Sequence, residues 1–159
     1  MADPNQIEHV LARLASAPAR LASLLGKLEA ADAVASASPG ELSPADVLAR
    51  VRAANDILVP RILYVLVRDN PPLIGYEEGR WEEVMRYRTL PVSDSLQTLR
   101  LQRSELVRAL KALDPEEWDR AGTHEVRGPM TVLEIADQIA GLEEDYLAQI
   151  ERAGGALGG

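Results

Sequence analysis

The chain contains no cysteine and no phenylalanine. Without cysteine there is no disulfide, no thiolate metal site and no cysteine nucleophile. A chain of this kind fits a reducing compartment, so the cytoplasm is the expected location. Two Trp and four Tyr are the only aromatic side chains among 159 residues. Leu, Ala, Val and Ile must therefore fill the interior, and these are the residues of helix-bundle cores. No apolar run approaches the ~20 residues needed to cross a bilayer. The opening MADPNQIEHV carries acids where a secretory signal has a basic and then an apolar segment, so no export is expected. Positive charge is in deficit: 17 Lys and Arg against 25 Asp and Glu leave a formal charge of −8. Such a surface repels nucleic-acid phosphate and anionic lipid, and the arginines are scattered rather than gathered. Neither nucleic acid nor membrane is expected as a partner.

What is present is helical periodicity. Hydrophobic residues make up 47% of the chain, enough for one ordinary domain with its own core. In residues 5–28, Ile7, Val10, Leu11, Leu14, Leu21, Leu24, Leu25 and Leu28 recur at three- and four-residue steps and form one stripe. Pro18 lies inside it and is expected to kink or restart the helix. In residues 44–68, Ser43 suits an N-cap, Pro44 the first helical position and Asp46 the third. The stripe there is Val47, Val51, Ala54, Leu58, Ile62 and Val65, and the DNPP run at 69–72 ends it. Residues 93–113 carry Leu96, Leu99, Arg103, Leu106, Leu110 and Leu113, with Arg103 expected to snorkel to solvent. Residues 131–152 carry Val132, Ile135, Ala136, Ile139, Tyr146, Leu147 and Ile150. The connection 70–92 is long enough to have a role and holds one short helix around Trp81 to Tyr87. A turn at Asp114-Pro115 and a loop with Gly122, His124, Gly128 and Pro129 precede the last helix. There is no β-hairpin signal, and the glycine-rich tail 153–159 is expected to be a flexible, frayed end. The pattern predicts an all-α, antiparallel four-helix bundle in a single domain spanning residues 1–159.

Three stretches carry a family resemblance. GELSPADVLARVRAANDILVPRIL, 40–63, is similar to a pattern of the form G-E-W-S-P-x-E-V-x-x-H-L. KALDPEEWDRAGTHEVRGPMTVLEIA, 111–136, is similar to the segment joining the last two helices, and EEDYLAQI, 143–150, to an ending of the form H-D-x-x-H-L-x-Q-I. In this order and spacing they resemble the DinB/YfiT-like superfamily. That resemblance implies a four-helix bundle with a pocket at one end, where many members hold zinc or nickel on three histidines. It also implies possible thiol-dependent transferase or isomerase activity, and dimers are frequent. Carried across position by position, the histidines fall on Arg50, Leu142 and Tyr146. Leu offers no lone pair, Arg offers a permanent positive charge, and Tyr ligates only as phenolate. The expectation is therefore a degenerate site with no metal and no cofactor.

Several residues remain as ligand-pocket candidates: Arg50, Leu142, Glu143, Tyr146, Tyr76 and Trp81. Glu143 lies on the core-facing stripe, and acids are rarely buried unpaired. It is expected to pair with Arg50, unless both reach solvent at the bundle end. The Tyr146 hydroxyl either orients a ligand or finds a polar partner in the core. Tyr76, Trp81 and Tyr87 either line a pocket mouth or cover the core. His124 is expected to hydrogen-bond the loop before the last helix, and His9 to be solvated. Glu144 and Asp145 project away from the stripe. Ser43, Ser93 and Ser104 have no His–acid arrangement, and no glycine pattern resembles a phosphate loop. Three functions remain open. They are a metal-free domain binding a small molecule, a metal- or thiol-dependent S-transferase-like enzyme with non-standard ligands, and a structural homodimer pairing through apolar stripes on two faces of the first and last helices.

Overall fold

The computed structural model describes residues 1–157. Four long helices form the bundle: α1 (Pro4–Gly26), α3 (Pro44–Val67), α5 (Val92–Lys111) and α6 (Val132–Leu157). Between them lie short elements: α2 (Ala30–Ala33), β1 (Pro72–Leu73), α4 (Glu78–Met85), β2 (Ala121–His124) and β3 (Gly128–Thr131), with 3-10 turns at Tyr87–Thr89 and Pro115–Asp119. No helix among the described residues is long and apolar enough to cross a membrane.

Helix ends follow local chemistry. The Ser43 hydroxyl accepts the Asp46 N–H while the Asp46 carboxylate accepts the Ser43 N–H, a closed capping box with Pro44 at the first position. Thr131 and Glu134 make the same reciprocal contact at the start of α6. At the other end of α3, the Arg120 guanidinium donates to the carbonyls of Val65 and Arg68, which no longer have helical partners. That contact ties the segment before β2 to the bundle.

Two helices run each way. Arg13 of α1 meets Asp137 and Glu144, and Leu28 just beyond it lies against Gly154, so α1 and α6 advance together. Arg52 reaches Ser95 and Asn55 reaches Gln102, so α3 and α5 also advance together. The main contacts pair α1 with α5 and α6, and α3 with the same two, leaving α1 and α3 on a diagonal. Because α3 and α5 share a direction, residues 68–91 must carry the chain back along the bundle. This explains the length of that connection, with α4 lying across α3 on the way.

Three expectations change. Residues 121–131 form a β-hairpin rather than a loop, with Gly122 paired to Met130 and β1 joined in parallel to β2. Its signal was invisible as alternation because the strands are four residues each and contain Gly and Pro. A three-residue loop returns through Gly128 at φ +76°, a conformation glycine adopts freely. The helix α6 continues through the expected tail to Leu157, and residues 158–159 of that tail lie outside the described residues. Pro18 sits within one continuous α1 rather than restarting it. Among the helices, exposed large apolar side chains stand out on α3 (Leu63, Tyr64, Val67), α4 (Trp81, Val84, Met85) and α5 (Leu101), while α1 and α6 carry half-buried ones such as Ile7, Leu11, Leu133 and Leu142.

Candidate functional site

The bundle interior is not purely apolar. Arg103 of α5 is 1% exposed and Glu143 of α6 is 4% exposed. The Arg103 guanidinium forms a two-pronged pair with the Glu143 carboxylate, one prong at 2.7 Å. It also donates to Asn55 Oδ1 of α3 at 3.1 Å and to the Leu14 carbonyl of α1 at 3.2 Å. The Leu14 carbonyl is available because Pro18, four residues on, has no N–H to give it. One arginine thus joins all four long helices. Burial pushes the Glu143 carboxyl above its ordinary range, against the opposing pull of Arg103.

Two expectations are corrected by this network. Arg103 does not snorkel, since its fork fits a carboxylate and two carbonyl-type acceptors inside the core. Glu143 does not pair with Arg50. Arg50 faces outward toward α4, with its Nε 3.6 Å from the buried carboxylate of Glu82, which Arg88 also approaches. Arg50 lies one residue before Val51 on α3 and follows the edge of the stripe rather than its centre. A sequence signal did exist: Arg103 and Glu143 are opposite charges, each at a stripe position of a core helix.

Outside the network, on the far side of Asn55, a cavity of about 650 Å³ opens between α3, α4 and α5. Val59, Leu63 and Leu106 give it an apolar wall, and Trp81 of α4 stands over it. Asp56 contributes a carboxyl that burial pushes above the ordinary range. The nearby Arg52 charge and hydrogen bonds from Gln102 and Trp81 pull it back. Gln102 also accepts from Asn55 Nδ2 at 2.9 Å, so the cavity wall and the buried network share a residue pair. Glu105 and Arg108 stand at its exposed edge.

The other singled-out residues are dispersed. Tyr146 is buried in a cluster with Val47, Val51, Leu99 and Leu147, with Leu142 packed against it. Tyr87 is buried beneath Arg52, whose guanidinium lies 4.7 Å from the ring centre. Tyr76 carries the Arg61 guanidinium 5.4 Å over its ring, away from Trp81 and in a different cavity. His124 Nδ1 accepts the N–H groups of Val126 and Arg127, holding the hairpin loop as expected. His9 is exposed on α1. Glu144 and Asp145 are exposed, and Arg13 grips Glu144 through two nitrogens at 2.9 Å.

A family description, DinB superfamily, matches residues 13–150. The chain belongs to the DinB superfamily. No curated protein matches it in sequence. Among solved structures, YfiT from Bacillus subtilis, described as a probable metal-dependent hydrolase with an unusual four-helix bundle topology, superposes with a TM-score of 0.90. The sequences are 17% identical, and the match covers 99% of this chain and 91% of YfiT. TT2238, described as a four-helix bundle protein, has a TM-score of 0.65 at 18% identity, over 92% of this chain and 98% of that one. At these identities the likeness is one of fold.

The metal implied by DinB-like relatives can be tested against the side chains present. At the positions that the sequence resemblance assigns to ligands stand Arg50, which turns to Glu82, Leu142, which has no donor, and Tyr146, which is buried among aliphatic side chains. Among the described residues no three His, Cys, Asp or Glu side chains gather in a way that could hold a metal ion. Glu143 has both carboxylate oxygens engaged by Arg103. Arg50 and Leu142 thus offer no lone pair, and the Glu143 carboxylate is already engaged. Asn55, Asp56 and Gln102 escaped the sequence reading because each is a polar residue at a helix position that becomes important only through its neighbours.

Proposed function

We propose that this DinB-superfamily protein binds a small molecule without a metal, in the cavity between α3, α4 and α5. The observation that carries the reading is the fate of the buried charges. The Arg103–Glu143 pair occupies the interior where a cation would need donors, whereas Asp56 keeps its carboxyl beside an open cavity. The ligand class follows from the walls: a partly apolar molecule, bearing a hydrogen-bond donor or amine for Asp56 and a flat face for Trp81. No part of this reading requires self-association. A second reading, a metalloenzyme with altered ligands, draws support from the likeness to YfiT.

Two measurements separate them. Purified, untagged protein offered equimolar nickel and zinc is expected to retain far less than one equivalent after desalting. Stoichiometric retention that is lost in Glu143→Gln would reinstate the metalloenzyme. Benzylamine, which has both an aromatic face and an amine, is expected to change Trp81 fluorescence saturably, with Trp118 buried and unresponsive. Asp56→Asn is expected to weaken that titration about tenfold, the worth of one charge-assisted contact. An unaltered titration in Asp56→Asn would remove Asp56 from the site.

A further inference from the structure

A second cavity, of about 410 Å³, lies at the hairpin end of the bundle. It is lined by Arg61 of α3, Tyr76 of the long connection, His124, Glu125 and Arg127 of the hairpin, and Gln138 of α6. Arg61 is only 6% exposed, yet among the described residues it forms no ion pair. Its guanidinium donates to the Ile74 carbonyl and lies over the Tyr76 ring. Buried charges are ordinarily paired, as Arg103 is in this same bundle. Burial pulls Arg61 below its ordinary range, and the neighbouring Arg127 charge adds to that pull, while Tyr76 and the Glu125 charge oppose it. The acid nearby does not neutralise it at close range: Glu125 is turned to the Gly75 N–H at 2.9 Å.

Two further groups face the same cavity. The Nδ1 of His124 accepts from two backbone N–H groups, so the ring proton of the neutral form resides on Nε2 as a donor. The Gln138 Oε1 is buried and reaches no donor. A carbonyl oxygen in that state is matched by a hydroxyl on whatever enters.

We infer that this cavity binds a small organic anion, a carboxylate or phosphate group carrying a hydroxyl. The Arg61 and Arg127 guanidinium groups meet the anionic oxygens, with the His124 Nε2–H as a neutral donor, while Gln138 accepts from the hydroxyl. The site is locally cationic on a chain of net charge −8, so selectivity comes from these fixed groups rather than from the overall field. It is separate from the Trp81 cavity, and the two stand or fall independently.

The test is a titration of the whole protein with lactate, propionate and inorganic phosphate at ionic strength fixed with sodium chloride. It is followed by calorimetry and by the backbone amide resonances of Gly75 and Arg127. Saturable binding of lactate is expected with a Kd on the order of millimolar. Propionate, lacking the hydroxyl, is expected to bind several-fold more weakly. Phosphate binding as tightly as lactate would identify the phosphate group as the natural partner of the same site. Arg61→Gln and Arg127→Gln are each expected to weaken binding about tenfold. Arg127 is exposed, so its variant serves even if Arg61→Gln fails to fold. Asp56→Asn should leave lactate binding unchanged. Absence of saturable shifts with any of the three anions would overturn the inference, as would binding undiminished in Arg127→Gln. Equal binding of lactate and propionate would overturn the assignment of Gln138.

Discussion

Glu143 and Asp56 are carboxylates on two of the four bundle helices, α6 and α3, and burial pushes both upward from the ordinary range. Their surroundings then diverge. Glu143 has an arginine fork on both oxygens, with Asn55 and the Leu14 carbonyl completing the arginine's contacts. Asp56 has two neutral donors and a charge at a distance, beside a cavity of about 650 Å³. The first arrangement is closed and joins the helices. The second leaves a partly desolvated carboxyl next to space that a ligand can fill. The difference teaches that buried charge alone does not mark a binding site. The distinguishing feature is whether the charge's partners are already inside the fold.

That contrast can be broken most forcefully at the closed pair. Arg103→Met or Glu143→Leu alone should destabilise the fold by roughly 3–5 kcal/mol, because each leaves an uncompensated buried charge. The double variant should return close to the wild-type value, since a buried pair often adds little over apolar replacements. Urea unfolding of the four proteins measures the coupling directly. Additive losses in the double variant would mean that the pair does not act as a unit.

At Asp56 the expected effect is smaller and of opposite sign. A carboxyl raised on folding binds protons more tightly in the folded state. Stability is therefore lost as pH rises from the ordinary carboxylate range through the raised value, and the penalty is complete above it. Asp56→Asn should flatten this fall and raise stability above it by about 1 kcal/mol or less. Urea midpoints at a series of pH values compare the two proteins. An identical pH profile would show that Asp56 is not desolvated.

The smallest effect is expected at Arg13, which grips Asp137 and Glu144 on the surface. Its hydrogen bonds hold Glu144 below the ordinary range, so this contribution is present at neutral pH and lost as pH falls through the lowered value. Arg13→Ala should cost roughly 0.2–1 kcal/mol, and less in high salt. A larger, salt-independent loss would place Arg13 alongside Arg103 as a structural residue.

Much of the bundle was legible. The stripes of Leu14, Leu58, Leu99 and Ile135 mark positions that are fully buried, and the Ser43 cap with Pro44 starts α3 where expected. The hairpin was not legible, because four-residue strands containing Gly122 and Pro129 have no alternation to read. Within the candidate sites, Glu143 stood out as an acid on a stripe, but its partner did not. A simple facing of helices points to Arg50, whereas the rotation of α3 turns Arg50 to Glu82 and brings Asn55 inward.

By itself the sequence determined the helices, their caps, the buried stripes and the family, since these rest on local periodicity and on residues close in the chain. Only the tertiary structure decided which charges met. Arg103, Glu143, Asn55 and the carbonyl freed by Pro18 come from four helices, and their contact depends on helix direction and rotation. No pattern within one helix encodes those quantities. The same holds for Arg61, which forms no ion pair among the described residues because of what folds around it.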